Sequence, residues 1–138
     1  MKKIIFTGST GMLGTSWIDY IHSNHKIYCP LNKSVISKKK NVIAKKVDLF
    51  NYKIFENYLK QINPDHIIHT AAFTNVDSCE KQKIIANKIN YKLTKNIANL
   101  CKKYSIKLIY ISTDHLFSGK KKFCKESDKT NPINQYAL

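Results

Sequence analysis

Ile4-Ile5-Phe6-Thr7-Gly8-Ser9-Thr10-Gly11-Met12-Leu13-Gly14 is an apolar run that stops at a glycine-rich turn, and a helical pattern starts directly after it. The chain has four glycines, and three of them, Gly8, Gly11 and Gly14, fall here at i, i+3 and i+6. Glycine this sparse elsewhere and this dense here answers a physical need. A strand must turn sharply into a helix, and the backbone N–H groups at the start of that helix must lie bare. Bare amides at a helix N-terminus attract an anionic phosphate. The stretch therefore reads as the first βα unit of a dinucleotide-binding fold.

Outward from the turn, strands and helices alternate. Residues 2–7 read as a fully buried strand, and Met12, Leu13, Trp17, Ile18 and Ile21 recur at helical spacing up to Asn24. A second strand is predicted over residues 26–31, with Pro30 marking it as imperfect or ending early. Residues 32–41 are a polar, lysine-rich loop, and residues 42–47 a weak third strand leading to Asp48-Leu49. Ile54, Phe55, Tyr58, Leu59 and Ile62 predict a helix closed by Asn63-Pro64. A fourth strand covers residues 65–70, and a loop over 71–80 precedes the longest helical pattern, from Ala86 through Leu93 and Ile97 to Tyr104. Residues 107–111 form a fifth strand opening into Ser112-Thr113-Asp114. After a polar stretch, a new element begins at Asn134-Gln135-Tyr136.

This order predicts an α/β fold, a doubly wound parallel sheet (Rossmann-like) truncated after about five strands. Residues 1–138 then form one NAD(P)-binding Rossmann-like domain, incomplete at its C-terminal side. In such sheets ligands sit at the carboxyl ends of the strands. Three polar segments are placed there: residues 8–14, 71–77 and 112–114.

Composition narrows the partners. A hydrophobic content of 43% excludes a disordered chain. No apolar run approaches the roughly 20 residues of a membrane span, so no membrane partner is expected. The apolar stretch after Met1-Lys2-Lys3 ends at Thr7, too short for a signal-peptide core, and a cytoplasmic protein is expected. Cys29, Cys79, Cys101 and Cys124 are 22 or more residues apart, with no metal-site spacing, and read as reduced, partly buried thiols. The net charge of +15 raises a nucleic-acid partner, but all 24 basic residues are lysines. Arginine supplies the bidentate contacts that grip phosphate and read guanine, so no specific nucleic-acid partner is expected.

The spacing of Gly8, Gly11 and Gly14 differs from G-x-G-x-x-G, and Thr7-Gly8-Ser9-Thr10-Gly11-Met12-Leu13-Gly14 resembles the TGxxGxxG turn of extended short-chain dehydrogenases/reductases. Residues 63–80, Asn-Pro-Asp-His-Ile-Ile-His-Thr-Ala-Ala-Phe-Thr-Asn-Val-Asp-Ser-Cys-Glu, resemble the PDVVINAAAxTxVDxAE region of dTDP-4-dehydrorhamnose reductases. The departures are His69-Thr70 for Asn-Ala and Cys79 for Ala. Residues 111–119 resemble that family's STDYVFDG, and residues 126–136 its ExDxxxPxNxYG, with His115 for Tyr, Ser118 for Asp and Ala137 for Gly. The resemblance covers essentially this whole chain but about the first half of a typical member.

The resemblance implies a catalytic Thr113 and Tyr136, 23 residues apart. A phenol with an ordinary pKa near ~10 needs a neighbouring cation to exchange protons at neutral pH. The family supplies a lysine four positions after the tyrosine, beyond Leu138. Thr113 would hydrogen-bond the substrate carbonyl oxygen. The implied cofactor set is Gly8, Ser9, Thr10, Gly11, Met12, Leu13, Gly14, Asn32, Lys33, Asp48, Leu49, Ala71, Ala72 and Thr74. Many NAD sites place a carboxylate after the second strand, yet Leu31-Asn32-Lys33-Ser34 has none. An ammonium and small hydrogen-bonding groups suit a 2′-phosphate, so NADP(H) is favoured over NAD(H).

The implied activity is reduction of a nucleotide-activated 4-keto-6-deoxy sugar, with turnover absent from this stretch of chain alone. Its alternatives are another extended short-chain epimerase or dehydratase, or a non-catalytic NADP-binding subunit like the family's methionine adenosyltransferase relative. The implied partners are a nucleotide sugar and either a homodimer mate or a missing C-terminal half that binds the sugar nucleotide. No metal is expected: His66 and His69 read as structural imidazoles, with no second ligand suitably spaced. Asp77 and Glu80 read as an N-terminal capping pair for the long helix rather than acid/base carboxylates.

Overall fold

The first strand is buried where its sequence is apolar. In the computed structural model, which describes residues 1–32 and 35–138, β1 spans Lys2–Thr7 with Lys2 and Lys3 exposed and its last four residues buried. The elements that follow are α1 (Met12–Ile21), β2 (His25–Leu31), β3 (Val42–Lys46), α2 (Tyr52–Ile62) and β4 (His66–His69). Then come α3 (Val76–Lys81), α4 (Lys83–Ala86), a π-helical stretch (Asn87–Leu93), α5 (Thr94–Lys103), β5 (Lys107–Tyr110) and a 3-10 turn (Asp114–Leu116). No helix among the described residues is long and apolar enough to cross a membrane.

The described strands form one five-stranded parallel sheet in the order β3-β2-β1-β4-β5. The predicted α/β parallel-sheet architecture is the one observed. Winding runs outward from β1 in one direction through β2 and β3, and in the other through β4 and β5. The reversal lies between β1 and β4, so the carboxyl ends of those two strands mark the switch point where such sheets take ligands.

The chain packs as two units, Met1–Ala71 with Lys95–Ile111, and Ala72–Thr94 with Ser112–Leu138. The first unit holds the sheet. Ile4, Phe6, Ile27, Cys29 and Ile68 join Ile18 of α1 in one apolar cluster, with Trp17, Ile21 and Leu31 packed against it. Phe6 and Trp17 meet edge to face, ring centroids 5.9 Å apart. Ile5 and Ile67, also buried, have the opposite strand parity and serve the other face. α2 and α5 lie side by side: Glu56 accepts from Lys103 Nζ at 2.8 Å and from the Tyr104 hydroxyl at 2.7 Å.

Several details depart from expectation. Pro30 does not shorten β2, which runs through it to Leu31. Val47 N–H donates to Leu31 O at 3.0 Å, so odd-numbered positions of β2 face β3 and Pro30 faces β1. The β1 pairing ends at Ile5 and Tyr28, so a missing N–H at position 30 interrupts no ladder bond. The expected loop over 71–80 holds a helix, α3, whose cap is Asn75: its Oδ1 accepts Ser78 N–H at 2.8 Å. Asp77 lies in that helix's first turn, while Glu80 caps nothing and accepts Gln135 N–H at 2.7 Å. The long helical pattern is interrupted by the π-helical stretch, where apolar periodicity alone shows no break.

Candidate functional site

The turn after β1 is built around missing side chains. Gly8 has φ +74°, a left-handed conformation that costs other residues energy. A Cβ there would lie 2.6 Å from Ala71 N and 2.7 Å from the Thr70 carbonyl carbon, so the turn packs directly on the chain leaving β4. Thr70 closes the contact by donating its hydroxyl to Thr7 O at 2.9 Å. Gly14 faces back into the turn, where a Cβ would strike Gly8 O and come within 2.9 Å of Ser9 Cα. Gly11 N–H donates to Gly8 O at 3.0 Å and completes the loop.

This packing shifts the buried stripe of α1. Its buried residues are Gly14 and Ile18, while Met12 is 89% exposed and Leu13 46%, against their expected place in the apolar face. At position 14 only a residue without a side chain fits. α1 starts on Gly11 as N-cap with no side-chain cap and no acid in its first turn, so its leading amides carry an uncompensated positive end. Ser9 Oγ is buried without a hydrogen-bond partner among the described residues. An orphaned buried hydroxyl, bare amides and a cradle that a Cβ would fill all fit a phosphate. Beside the turn lies a cavity of about 180 Å³, lined in part by Thr10, Thr15, Ser37 and the ion pair of Asp19 with Lys39 at 2.7 Å.

The other cofactor candidates are spread more widely. Asn32 is exposed directly after β2, and Lys33 lies outside the described residues. Asp48 is exposed after β3 and its Oδ1 accepts Phe50 N–H at 2.9 Å, an Asx turn that commits one carboxylate oxygen. Leu49 next to it is half-buried. In the first unit, the structure thus brings Gly8 to Gly14 and Ala71 together. Ala72 and Thr74 belong to the second unit, exposed on either side of Phe73.

Beneath the turn, His69 is wholly buried. Its Nδ1 shares a 2.6 Å hydrogen bond with Thr7 Oγ1, and its ring stacks on Tyr110 at 5.7 Å. Burial pulls its pKa down from 6.5 to about 4, so the imidazole is neutral at ordinary pH. It braces the adjoining ends of β1 and β4. Cys29 is likewise inert, its thiol pushed up to about 11 by burial; the nearby Ser9 hydroxyl offsets this only in part and makes no hydrogen bond of good geometry with it.

Within the second unit, Thr113 and Tyr136 belong to one polar cluster. Thr113 Oγ1 accepts His115 N–H at 3.2 Å, and the His115 ring meets Tyr136 edge to face at 5.5 Å. The Tyr136 backbone is held on every side. Gln135 N–H donates to Glu80, Tyr136 O accepts Asn90 Nδ2 at 3.3 Å, and Ala137 N–H donates to Asn134 Oδ1 at 3.1 Å. Asn90 also accepts Phe73 N–H at 2.8 Å and donates to Phe73 O at 3.0 Å. Sequence reasoning passed over Asn90, took Asn134 only as the start of an element, and gave Glu80 a capping role in place of its bond to Gln135. Asn90 is a polar residue inside the longest helical pattern, placed where the helix turns π-helical, and that misfit was its one visible signal.

A family model described as the RmlD substrate binding domain matches residues 1–138. The chain belongs to that family. Among solved structures, a hypothetical dTDP-4-dehydrorhamnose reductase from Sulfolobus tokodaii is 35% identical with a TM-score of 0.88, over 99% of this chain and 48% of that one. The dTDP-4-dehydrorhamnose reductase of Bacillus anthracis, in complex with NADP, is 30% identical with a TM-score of 0.83, over 99% and 45%. Among curated proteins, a dTDP-D-glucose 4,6-dehydratase of Dictyostelium discoideum is 31% identical over 98% of this chain and 34% of its own length. Methionine adenosyltransferase 2 subunit beta of Bos taurus is 27% identical over 98% and 39%. The chain therefore spans about a third to two-fifths of these curated relatives and just under half of the solved chains. The resemblance to extended short-chain dehydrogenases/reductases of the dTDP-4-dehydrorhamnose reductase family holds at the level of sequence and fold.

Proposed function

We propose that residues 1–138 are the dinucleotide-binding portion of an NADP(H)-dependent reductase acting on a nucleotide-activated 4-keto-6-deoxy sugar. The observation that carries the reading is the turn at Gly8, Gly11 and Gly14, whose bare amides and orphaned Ser9 hydroxyl suit a pyrophosphate. Gly8, Ser9, Thr10, Gly11, Met12, Leu13 and Gly14 would hold it, with Asn32, Lys33, Asp48, Leu49, Ala71, Ala72 and Thr74 serving the rest of the cofactor. The NADP complex of the Bacillus anthracis relative supports this choice, as does the lack of an acid after β2.

A bound nicotinamide would supply hydride to the sugar's carbonyl carbon. Thr113 would hydrogen-bond the carbonyl oxygen, and the Tyr136 phenol would deliver the proton that oxygen needs. The residues that select the sugar would lie in the part of the relatives that this chain does not span.

A second reading, a non-catalytic nucleotide-binding subunit, is favoured by the similarity to methionine adenosyltransferase 2 subunit beta. Retention of both Thr113 and Tyr136 weighs for the enzyme. Titration with NADPH and NADH by calorimetry tests the cofactor. Tighter binding of NADPH is expected; equal binding overturns the NADP preference, and failure of both overturns the reading.

A further inference from the structure

One titratable side chain, His115, touches both proposed catalytic residues and has no part in the chemistry proposed for them. His115 is exposed in the 3-10 turn, its backbone N–H bound to Thr113 Oγ1 and its ring edge to face with Tyr136, the planes at 82°. Its Nδ1 lies 3.0 Å from Asn134 Nδ2. The Asn134 amide has its orientation set from the other end, since its Oδ1 accepts Ala137 N–H. An amide nitrogen only donates, so Nδ1 must accept and the ring proton must sit on Nε2.

We propose that His115 is a positioning residue for Tyr136. Held as the neutral Nε2–H tautomer by Asn134, its ring sets the plane of the phenol while its backbone sets the Thr113 hydroxyl. Where the family pattern carries tyrosine, this chain has placed a group that can switch. A proton added to Nδ1 turns an acceptor into a donor facing the Asn134 donor, and the bond is lost. The titratable groups around it are Asp114 on the same turn, Tyr136 itself, and Glu80, which holds Gln135 N–H and lies 3.9 Å from Lys83. The significance rests on Tyr136 being the proton-transfer residue; the measurement does not.

NMR of this chain with labelled histidine and tyrosine, Tyr136 assigned by its loss in Tyr136→Phe, tests the proposal. The neutral His115 ring is expected in the Nε2–H form, and the Tyr136 ring signals are expected to move as His115 takes up its proton. His115→Ala should abolish that movement and displace the ring signals. His115→Tyr should restore their position without the pH dependence, and Asp114→Asn should leave the coupling intact. An Nδ1–H tautomer, Tyr136 signals indifferent to the titration or to His115→Ala, or coupling lost in Asp114→Asn would overturn it. Failure of cofactor binding would leave every one of these readouts standing, so the two readings fail separately.

Discussion

The two units of this chain hold their proposed functional residues by different physics. In the first, Gly8 and Gly14 are placed by exclusion: neighbouring backbone leaves no room for a Cβ, and wholly buried residues such as Phe6, Ile5 and Ile67 stand behind them. In the second, Tyr136 is placed by side chains reaching to backbone, from Asn90, Glu80 and Asn134, themselves exposed or half-buried. Close packing tolerates almost no adjustment, whereas hydrogen bonds open to water exchange partners at modest net cost. The glycine turn is accordingly the rigid part and the Tyr136 segment the adaptable one.

The largest effect expected to test this contrast is Phe6→Ala. It removes a wholly buried ring packed on Trp17 and should cost about 3–5 kcal/mol in urea unfolding. A cost below about 1 kcal/mol would show that the sheet unit is loosely packed.

Acid should act next, through His69. Its folded pKa of about 4 lies below the ordinary 6.5, so between those values the unfolded chain takes a proton that the folded site refuses. Stability should be full above pH 6.5, fall as pH drops towards 4, and level off below, by up to about 3 kcal/mol in all. His69→Asn should flatten that part of the profile, measured as unfolding free energy against pH. An unchanged slope would place the acid sensitivity elsewhere.

Gly8→Ala should cost about 2–3 kcal/mol from left-handed strain and overpacking, and should abolish NADPH binding. Retained binding would mean that the turn does not hold the pyrophosphate. The smallest effect is reserved for the polar unit. Asn90→Ala removes hydrogen bonds to Phe73 and Tyr136 and should cost about 1–2 kcal/mol. Hydrogen exchange should quicken at Phe73, the amide that Asn90 holds, while β1 amides stay protected. Loss of protection across the sheet as well would erase the distinction between the units.

What was legible beforehand follows the same division. β1, the glycine turn and α2 could be read because their determinants are local: an apolar run, three spaced glycines, and Asn63 closing its helix in the left-handed region at φ 48°. Asp77 and Glu80 misled because the cap belongs to Asn75 and a helix that the loop-like composition concealed. The role of Glu80 could not be read at all, because its partner Gln135 is 55 residues away.

By itself the sequence determined the alternating strands and helices, the parallel sheet and the glycine turn with its bare amides, because strand period, helix period and glycine conformation act over a few neighbouring residues. Only the tertiary structure decided that Pro30 could stay inside a strand, that His69 is a buried brace, and that His115, Asn134 and Tyr136 form one cluster. Each depends on which side of a strand an atom faces, or on a contact between distant segments, and no local pattern encodes either.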